Sequence, residues 1–346
     1  MIKPWIFEFF GAPAGGGRDQ PVGSELTAEH FGWHLDLWRR VEAMGFEGIF
    51  FSEHHFGLGF SPSPNLLIAT LAPITRTLRL GVMGVVLPYY QPWRVVEEIG
   101  MLDQLTGGRI EIGTASGIPQ EMARIGLSVE EANARAAEAI EILDAALREP
   151  VISHHGKFWS FDNLNIAPRP LQRPSPPKWT TVVSIESARK AARRGAKICT
   201  GFHPIDRIAQ IFDAYRDEAA RAGQPAGPEQ LAIRRNVTLA RDGKEAKVAS
   251  AAALRTYRAA LTHDPRYTES PLPDAPGPTH GFSVGDDEFI AGAGRDVAEQ
   301  IIGQCRRVGA GHFLCTLNRG SPRDRTMEAF ALYAEDVIPA LRRAEV

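Results

Sequence analysis

Short apolar runs alternate with longer amphipathic segments along this chain from one end to the other. The runs predict eight strands, at residues 5–10, 48–51, 79–86, 109–113, 179–183, 196–200, 231–239 and 312–316. Helical patterns separate them, with apolar residues at three- and four-residue spacing in stretches such as 27–44, 130–147 and 322–341. Repeated strand–helix–strand order forces parallel pairing with right-handed crossovers. The sequence therefore predicts an α/β fold, a (β/α)8 barrel of the TIM type with insertions.

Two segments interrupt the alternation. Residues 150–177 form an excursion before the fifth strand, with a proline-rich exit. Residues 262–288 are rich in Pro, Gly and Asp, and a connection of this length without regular structure is uncommon except where it is functional. We expect 262–288 to be a mobile lid over the active site. Because no linker divides the chain, residues 1–346 are predicted to form a single barrel domain.

Composition excludes several classes of function. The 39 basic residues nearly balance the 41 acidic ones, and no basic block is interleaved with aromatic residues, so nucleic-acid binding is not expected. No apolar stretch is long enough for a membrane span, and the first residues fit a strand better than a signal peptide, which predicts a cytoplasmic protein. Cys199, Cys305 and Cys315 lack Cys-x-x-Cys spacing and are interpreted as reduced core residues.

A carboxylate and two imidazoles stand where the second predicted strand ends. Glu53, His54 and His55 follow the apolar run 48–51 directly. In barrels of this kind the chemistry lies at the carboxyl ends of the strands, and imidazole titrates near neutral pH. His54 is therefore the first catalytic candidate. His55 and Glu53 are interpreted as support that closes the barrel top through hydrogen bonds, although Glu53 or a backbone carbonyl is also expected to fix the tautomer of His54.

Other motifs favour structural roles. His30 and His34 lie one helical turn apart, but no His-Glu-x-x-His pattern surrounds them, so no metal site is predicted. The glycines at 15–17 lack the Lys-Ser/Thr of a phosphate loop and predict a flexible turn. No Gly-x-Gly-x-x-Gly follows a predicted strand, which argues against tight binding of a nicotinamide dinucleotide in a Rossmann domain.

Four motifs together resemble bacterial luciferase and the wider luciferase-like flavin monooxygenases. They are Glu53-His54-His55-Phe56, Asn65 with the apolar helix that follows it, Leu-Gly-Val-Met-Gly-Val-Val-Leu-Pro at 80–88, and Leu-Asp-Gln-Leu-Thr-Gly-Gly-Arg at 102–109. Their order and spacing match the family, and the resemblance covers essentially the whole chain, most strongly 45–126. It implies a barrel that binds reduced FMN at the carboxyl ends of its strands, usually as a homodimer.

The resemblance also implies roles for single residues. His54 matches the family's catalytic histidine, which would handle the proton at the adduct of flavin and oxygen. Met83 and Gly84 match the position of a non-proline cis peptide under the flavin ring. Arg135, in the helix after strand four, matches a family arginine near the flavin phosphate, although a solvated helix face is its plain alternative.

Two serines also suit the phosphate of FMN. Ser184 and Ser187 stand where the fifth strand runs into a helix, whose N-terminus favours an anion, although each serves equally well as a helix cap. One departure from the family is clear. The positions matching Ala115 and Ser116 hold a cysteine and an arginine in luciferase, and both approach the flavin. Losing that cation shifts phosphate binding toward Arg135 and the serines, and it puts light emission in doubt.

The function that the resemblance implies is a monooxygenase that uses reduced FMN and O2, through a flavin C4a-hydroperoxide, to oxygenate a small, largely apolar organic substrate. A separate NAD(P)H:flavin reductase would supply the reduced FMN. Three alternatives stay open: an F420-dependent hydride-transfer enzyme of the same fold, a metal-dependent barrel hydrolase using His54 and His55, and a flavin-storage protein. The sequence does not choose among aldehyde oxidation, Baeyer–Villiger oxidation and hydroxylation.

Overall fold

The computed structural model describes residues 1–13, 21–57, 59–263 and 285–346. Its strands, in chain order, are β1 (Lys3–Glu8), β2 (Gly48–Phe51), β3 (Arg79–Val86), β4 (Ile110–Ala115), β5 (Val151–His155), β6 (Ser160–Asn165), β7 (Lys178–Thr181), β8 (Lys197–Thr200), β9 (Leu231–Leu239), β10 (Phe289–Gly292) and β11 (His312–Leu317). Strands β5 and β6 form an antiparallel hairpin, whereas the other strands form one sheet in the order β10-β9-β11-β1-β2-β3-β4-β7-β8. An additional pairing of β9 with β8 closes eight parallel strands into a barrel.

Helices surround the barrel. They are α1 (Ser24–Val41), α2 (Pro64–Leu71), α3 (Pro92–Thr106), α4 (Pro119–Arg124), α5 (Val129–Arg148), α6 (Ile185–Arg193), α7 (Ile205–Arg221), α8 (Gly243–His263), α9 (Gly294–Val308), α10 (Arg323–Leu332) and α11 (Ile338–Arg343). Local sequence explains the ends of α3, which begins at a proline and stops at Gly107, whose φ of 67° suits a left-handed cap. No described helix combines the length and the apolar character needed to cross a membrane.

The chain divides into two compact units. The first comprises Met1–Phe7, Ala43–Gly48 and Thr181–Val346, and the second comprises Glu8–Glu42 and Ile49–Thr180. The largest fully buried apolar side chains of the first unit include Trp5, Phe212, Tyr215, Phe313 and Tyr333, and those of the second include Phe10, Trp38, Phe50, Phe51 and Trp179. Burying one such side chain contributes about 1.5–3 kcal/mol, so each unit has a substantial apolar core of its own.

The predicted barrel is confirmed, and each of the eight predicted strands is a barrel strand. All four residues of β2 are buried, as expected for a parallel strand covered on both faces. Strand β1 ends two residues earlier than predicted, because the chain turns away at Phe10, whose φ is 42°. The predicted last helix is interrupted by the π-helical turn Tyr333–Val337, and α1 begins at Ser24 rather than at residue 27.

The two predicted insertions differ in what the structure shows of them. Residues 150–177 contain the hairpin of β5 and β6, which the sequence did not predict. Strand β10, which follows the second insertion, was not predicted either. Most of the predicted lid, residues 264–284, lies outside the described residues, as do the glycines at 15–17. The three cysteines are buried free thiols, as predicted, and burial raises the pKa of each to about 12.

Candidate active site

The end of β2 is held in place by backbone contacts within the second unit. The Ser52 N–H donates to the carbonyl oxygen of Glu8 at 2.9 Å, and the Ser52 hydroxyl donates to that of Phe9 at 3.2 Å. The Ser61 hydroxyl donates to the carbonyl oxygen of Ser52 at 2.7 Å. These bonds tie the segment after β2 to the end of β1 and to the loop beyond it. Glu53, His54 and His55 therefore project from a fixed backbone.

His54 is held by a carboxylate that the sequence analysis did not identify. Its Nδ1 lies 3.1 Å from Oε1 of Glu121, in the first turn of α4, and the same oxygen accepts the His55 backbone N–H at 3.0 Å. Glu121 is only 2% exposed. The imidazole of His54 stacks on the ring of Phe9, with centroids 6.0 Å apart and 14° between the planes. One ring nitrogen is thus occupied, and one ring face is covered.

Glu53 contacts His55 rather than His54, so the expectation that Glu53 fixes the tautomer of His54 is wrong. Nε2 of His55 lies 3.0 Å from Oε1 of Glu53. Burial raises the pKa of Glu53, and the hydrogen bond with Glu53 raises the pKa of His55, so the pair retains its protons to higher pH than isolated groups would. The ring of Tyr89 packs edge-on against His55 at 5.1 Å. His55 and the buried Glu53 thus form a supporting pair.

Strands β3 and β4 approach each other unusually closely beside this cluster of histidines and carboxylates. The Met83–Gly84 peptide is cis, at the position where the resemblance implies such a bond. A Cβ built on Gly84 would lie 2.6 Å from the carbonyl carbon of Thr114, so only glycine fits there. Ala115 ends β4 and Ser116 follows it, both partly buried. At Gly84 the two strands therefore pack backbone against backbone, and small side chains stand at the end of β4.

Arg135 lies beside a cavity in the same unit. Its Nε donates to Oε1 of Glu131 at 2.9 Å, and its guanidinium carbon lies 5.3 Å from the ring centroid of Phe158. The cavity has a volume of about 330 Å³ and is lined by Gln91, Trp93, Arg135, Phe158, Trp159 and Ser160. The hairpin turn at its wall is held by Glu138, whose carboxylate accepts the backbone N–H groups of residues 157–159. Arg135 thus brings a cation to an aromatic cavity.

Ser184 and Ser187 belong to the first unit, where they form a reciprocal cap at the start of α6. The Ser184 hydroxyl accepts the Ser187 N–H at 3.2 Å, and the Ser187 hydroxyl accepts the Ser184 N–H at 3.1 Å. Both side chains therefore cap the helix, and their binding of the FMN phosphate stays a prediction.

Residues 9–310 match the family model of luciferase-like monooxygenases. The chain belongs to the luciferase-like monooxygenase family. An uncharacterised protein of Sinorhizobium fredii is 31% identical over 305 residues, which cover 87% of this chain and 89% of that protein. The oxygenase component of flavin-dependent trigonelline monooxygenase from Acinetobacter baylyi is 29% identical over 237 residues, covering 67% of this chain and 64% of the relative. The crystal structure of monooxygenase RslO1 from Streptomyces bottropensis superposes with a TM-score of 0.80 at 25% identity, covering 98% of this chain and 99% of that one.

Two buried polar atoms fit the binding of a polar ligand by this member of the family. Oε2 of Glu121 and the hydroxyl of Tyr89 are inaccessible to solvent and have no hydrogen-bond partner within the described part of the chain. Buried polar atoms are almost always paired, so such orphans indicate a ligand or water in the working protein. Together with the small residues Ala115 and Ser116 at the end of β4, they fit a cofactor that carries polar edges.

His30 and His34 have the structural role that was predicted for them. Nε2 of His30 lies 2.9 Å from the carbonyl oxygen of Gly11, and both imidazoles pack on the ring of Phe10 at 5.1 and 4.9 Å. Over the described ranges, no group of three or more His, Cys, Asp and Glu side chains is arranged to hold a metal ion. The hydrolase alternative thus gains no support from this part of the structure.

Glu121 and Phe9 are the contacts of His54 that sequence reasoning missed. Glu121 is 67 residues away in the chain, so no local motif links it to the histidine. A signal was nevertheless present, because Glu121 follows the end of β4 by six residues and parallel strands deliver their following loops to one end of a barrel. A search of the strand-end loops for carboxylates would have included it.

Proposed function

We propose that this chain is the oxygenase component of a two-component, FMN-dependent monooxygenase. It takes reduced FMN and dioxygen, transfers one oxygen atom to a small, largely apolar organic substrate, and releases the other oxygen as water while FMN is oxidised. The observation that carries the proposal is the His54 imidazole, held by Glu121 and stacked on Phe9 at the end of a barrel strand. Membership of the luciferase-like monooxygenase family supports it.

His54 suits the task that this reaction sets for the protein. Reduced FMN, when bound, supplies the electrons that reduce dioxygen, and the protein must control where protons go. A positioned imidazole contributes typically 10²–10⁴-fold to such proton transfers, because its pKa lies near neutral pH. Nδ1 of His54 is occupied by Glu121, which leaves Nε2 to hold or move a proton toward the ligand.

Residues of the second unit are proposed to hold FMN. The Met83–Gly84 peptide, with the small residues Ala115 and Ser116 on the neighbouring strand, is proposed to lie under the flat ring, as the family resemblance implies. Arg135 suits the phosphate, because its exposed pairing with Glu131 is worth only about 0.3–0.5 kcal/mol and yields readily to a dianion. Replacing Arg135 with Gln should therefore weaken FMN binding while leaving riboflavin binding unchanged.

The relative from Acinetobacter baylyi favours FMN over F420 and a separate reductase over an internal one. Its name describes a flavin-dependent enzyme and an oxygenase component, which implies a second component that supplies reduced flavin. Titration of the purified chain with oxidised FMN and with oxidised F420 decides between the cofactors. Tight binding of F420 without binding of FMN would favour the hydride-transfer alternative.

Homodimer formation is proposed from an apolar surface on neighbouring helices. Leu66 on α2, Ile74 in the turn after it, and Met101 and Leu105 on α3 are each more than half exposed. Asn65 donates to Glu98 at 2.8 Å, which ties α2 to α3. Contiguous exposed apolar side chains of this kind mark interaction surfaces. Sedimentation of the Leu105→Glu variant should show a monomer where the parent chain shows a dimer.

The experiment for the function compares variants in the reaction with oxygen. A flavin reductase and NADH supply reduced FMN, substrates are a panel of aldehydes and cyclic ketones, and hydrogen peroxide and oxygenated product are both measured. We expect His54→Ala to lower the ratio of product to peroxide at least tenfold. His155→Ala, an exposed histidine on the hairpin, is the matched control and should behave like the parent. An unchanged ratio in His54→Ala would remove His54 from the mechanism.

A further inference from the structure

We propose that Glu121 is a positioning residue that fixes the tautomer of His54, so that Nδ1 always carries a proton and Nε2 is the nitrogen that accepts and donates the transferred proton. This inference rests on the proposed function for its catalytic meaning. The location of the proton on the imidazole ring does not depend on that function and is measured separately.

The donors around Oε1 of Glu121 determine the direction of the hydrogen bond. The backbone N–H of His55 can only donate, so Oε1 is an acceptor in that 3.0 Å contact. The same oxygen faces Nδ1 of His54 at 3.1 Å. As a carboxylate, Glu121 can only accept hydrogen bonds, so Nδ1 supplies the proton in this contact. In the neutral imidazole the lone pair then lies on Nε2.

The surroundings restrict rotation of the ring away from this arrangement. The Phe9 ring is stacked against one face. Among the described residues, no hydrogen bond to Nε2 is present that would compete with the bond at Nδ1. The ring is thus oriented by the bond to Glu121 and by its stacking with Phe9.

Glu53 is excluded from this role by its own geometry. Its Oε1 is bonded to Nε2 of His55 at 3.0 Å. The site thus contains two carboxylate–imidazole pairs, Glu121 with His54 and Glu53 with His55, and each carboxylate has a different imidazole partner. This separation provides a matched control, because Glu53→Gln removes a neighbouring buried carboxylate without touching the bond at Nδ1 of His54.

The decisive measurement is the protonation pattern of His54 in the cofactor-free protein. Long-range 1H–15N spectra of [15N]histidine-labelled chain report which ring nitrogen bears hydrogen, and the His54→Gln spectrum assigns the signal. We expect the Nδ1–H form in the parent at a pH where the ring is neutral. Glu121→Ala should abolish this preference, Glu121→Gln should keep it because the amide oxygen still accepts, and Glu53→Gln should leave it unchanged.

Activity supplies the second readout. With a reductase present, Glu121→Ala should lower the ratio of product to peroxide roughly tenfold or more through misplacement of the imidazole, and Glu121→Gln should restore most of the ratio. Circular dichroism shows whether each variant is folded, and Glu121→Gln serves as the test if Glu121→Ala is not. An Nε2–H form in the parent, or an Nδ1–H form that persists in Glu121→Ala, would overturn the inference. A correct tautomer pattern without oxygenation of any substrate would instead count against the proposed function alone.

Discussion

A single buried carboxylate in the first unit offers the sharpest test of how this fold is stabilised. Glu288 is fully buried and accepts four hydrogen bonds. The donors are the Phe202 N–H at 2.7 Å, Nη1 of Arg234 at 2.5 Å, Nη1 of Arg235 at 2.9 Å and Nδ2 of Asn236 at 3.0 Å. Two guanidinium groups buried in β9 thus share one counter-charge. The perturbation is Glu288→Gln, which preserves shape and removes the charge.

The expected cost follows from the burial of the two arginines. Removing one partner of a buried ion pair costs about 3–5 kcal/mol, because the remaining charge stays in a medium that solvates it poorly. Asp287 compensates only weakly, since its Oδ2 lies 3.9 Å from Nη2 of Arg235 and its side chain is 27% exposed to water. Glutamine at position 288 also replaces one acceptor oxygen with an NH2 donor, which then faces the N–H donors around it. For a chain of 346 residues, about 2.1 cal/mol/K of unfolding entropy per residue converts this cost into a loss of about 4–7 °C in Tm.

The matched control is an exposed pair in the same unit. Arg295 and Glu299 lie 3.1 Å apart on α9, with side chains 91% and 67% exposed. Glu299→Gln should cost at most about 0.5 kcal/mol, because water screens the pair. Urea denaturation followed by circular dichroism, together with thermal denaturation, measures both variants against the parent. If Glu288→Gln is within about 1 kcal/mol of Glu299→Gln, the argument that burial makes this charge indispensable is refuted.

Two further predictions concern the second unit. Gly84→Ala should cost about 1–3 kcal/mol of folding free energy and weaken FMN binding, because its Cβ would lie 2.6 Å from the backbone of Thr114. The control is Gly32→Ala, in open space on α1, which should stabilise the chain by up to about 1 kcal/mol. Thermal denaturation and FMN titration measure both variants, and equal stability of the two would contradict the steric argument. Desolvation raises the pKa of Glu42, but hydrogen bonds from backbone N–H groups, chiefly those of Thr77 and Arg76, outweigh it and lower that pKa from 4.5 to about 2. The stabilisation by this carboxylate is therefore complete above pH 4.5 and is lost as the pH falls toward 2. In urea titrations, Glu42→Gln should reduce the loss of stability between pH 4.5 and 2. An unchanged loss would argue against stabilisation by the hydrogen bonds to Glu42.

The barrel was predictable because each strand is a short, nearly continuous apolar run, and eight of them alternate with helical periodicity. The elements that escaped prediction lack such a signal. Strand β10 is four residues long and follows a segment rich in Pro and Gly. Strands β5 and β6 are largely exposed, so their sequence does not show the apolar pattern of a buried strand. The interruption at Tyr333–Val337 is a local change of hydrogen bonding within an otherwise helical pattern.

The partners of the two histidines show where local reasoning reaches its limit. Adjacent side chains of an extended chain point to opposite sides, whereas side chains two residues apart share a side. The contact between Glu53 and His55 has this two-residue spacing, although both residues lie after the end of β2, and the sequence analysis overlooked it. The partner of His54 comes from another part of the chain. In a parallel barrel that part is a loop after another strand, and Glu121 meets the requirement after β4. Which strand-end carboxylate fills the position depends on the course of the chain through α4, because loop residues are placed by packing rather than by periodicity.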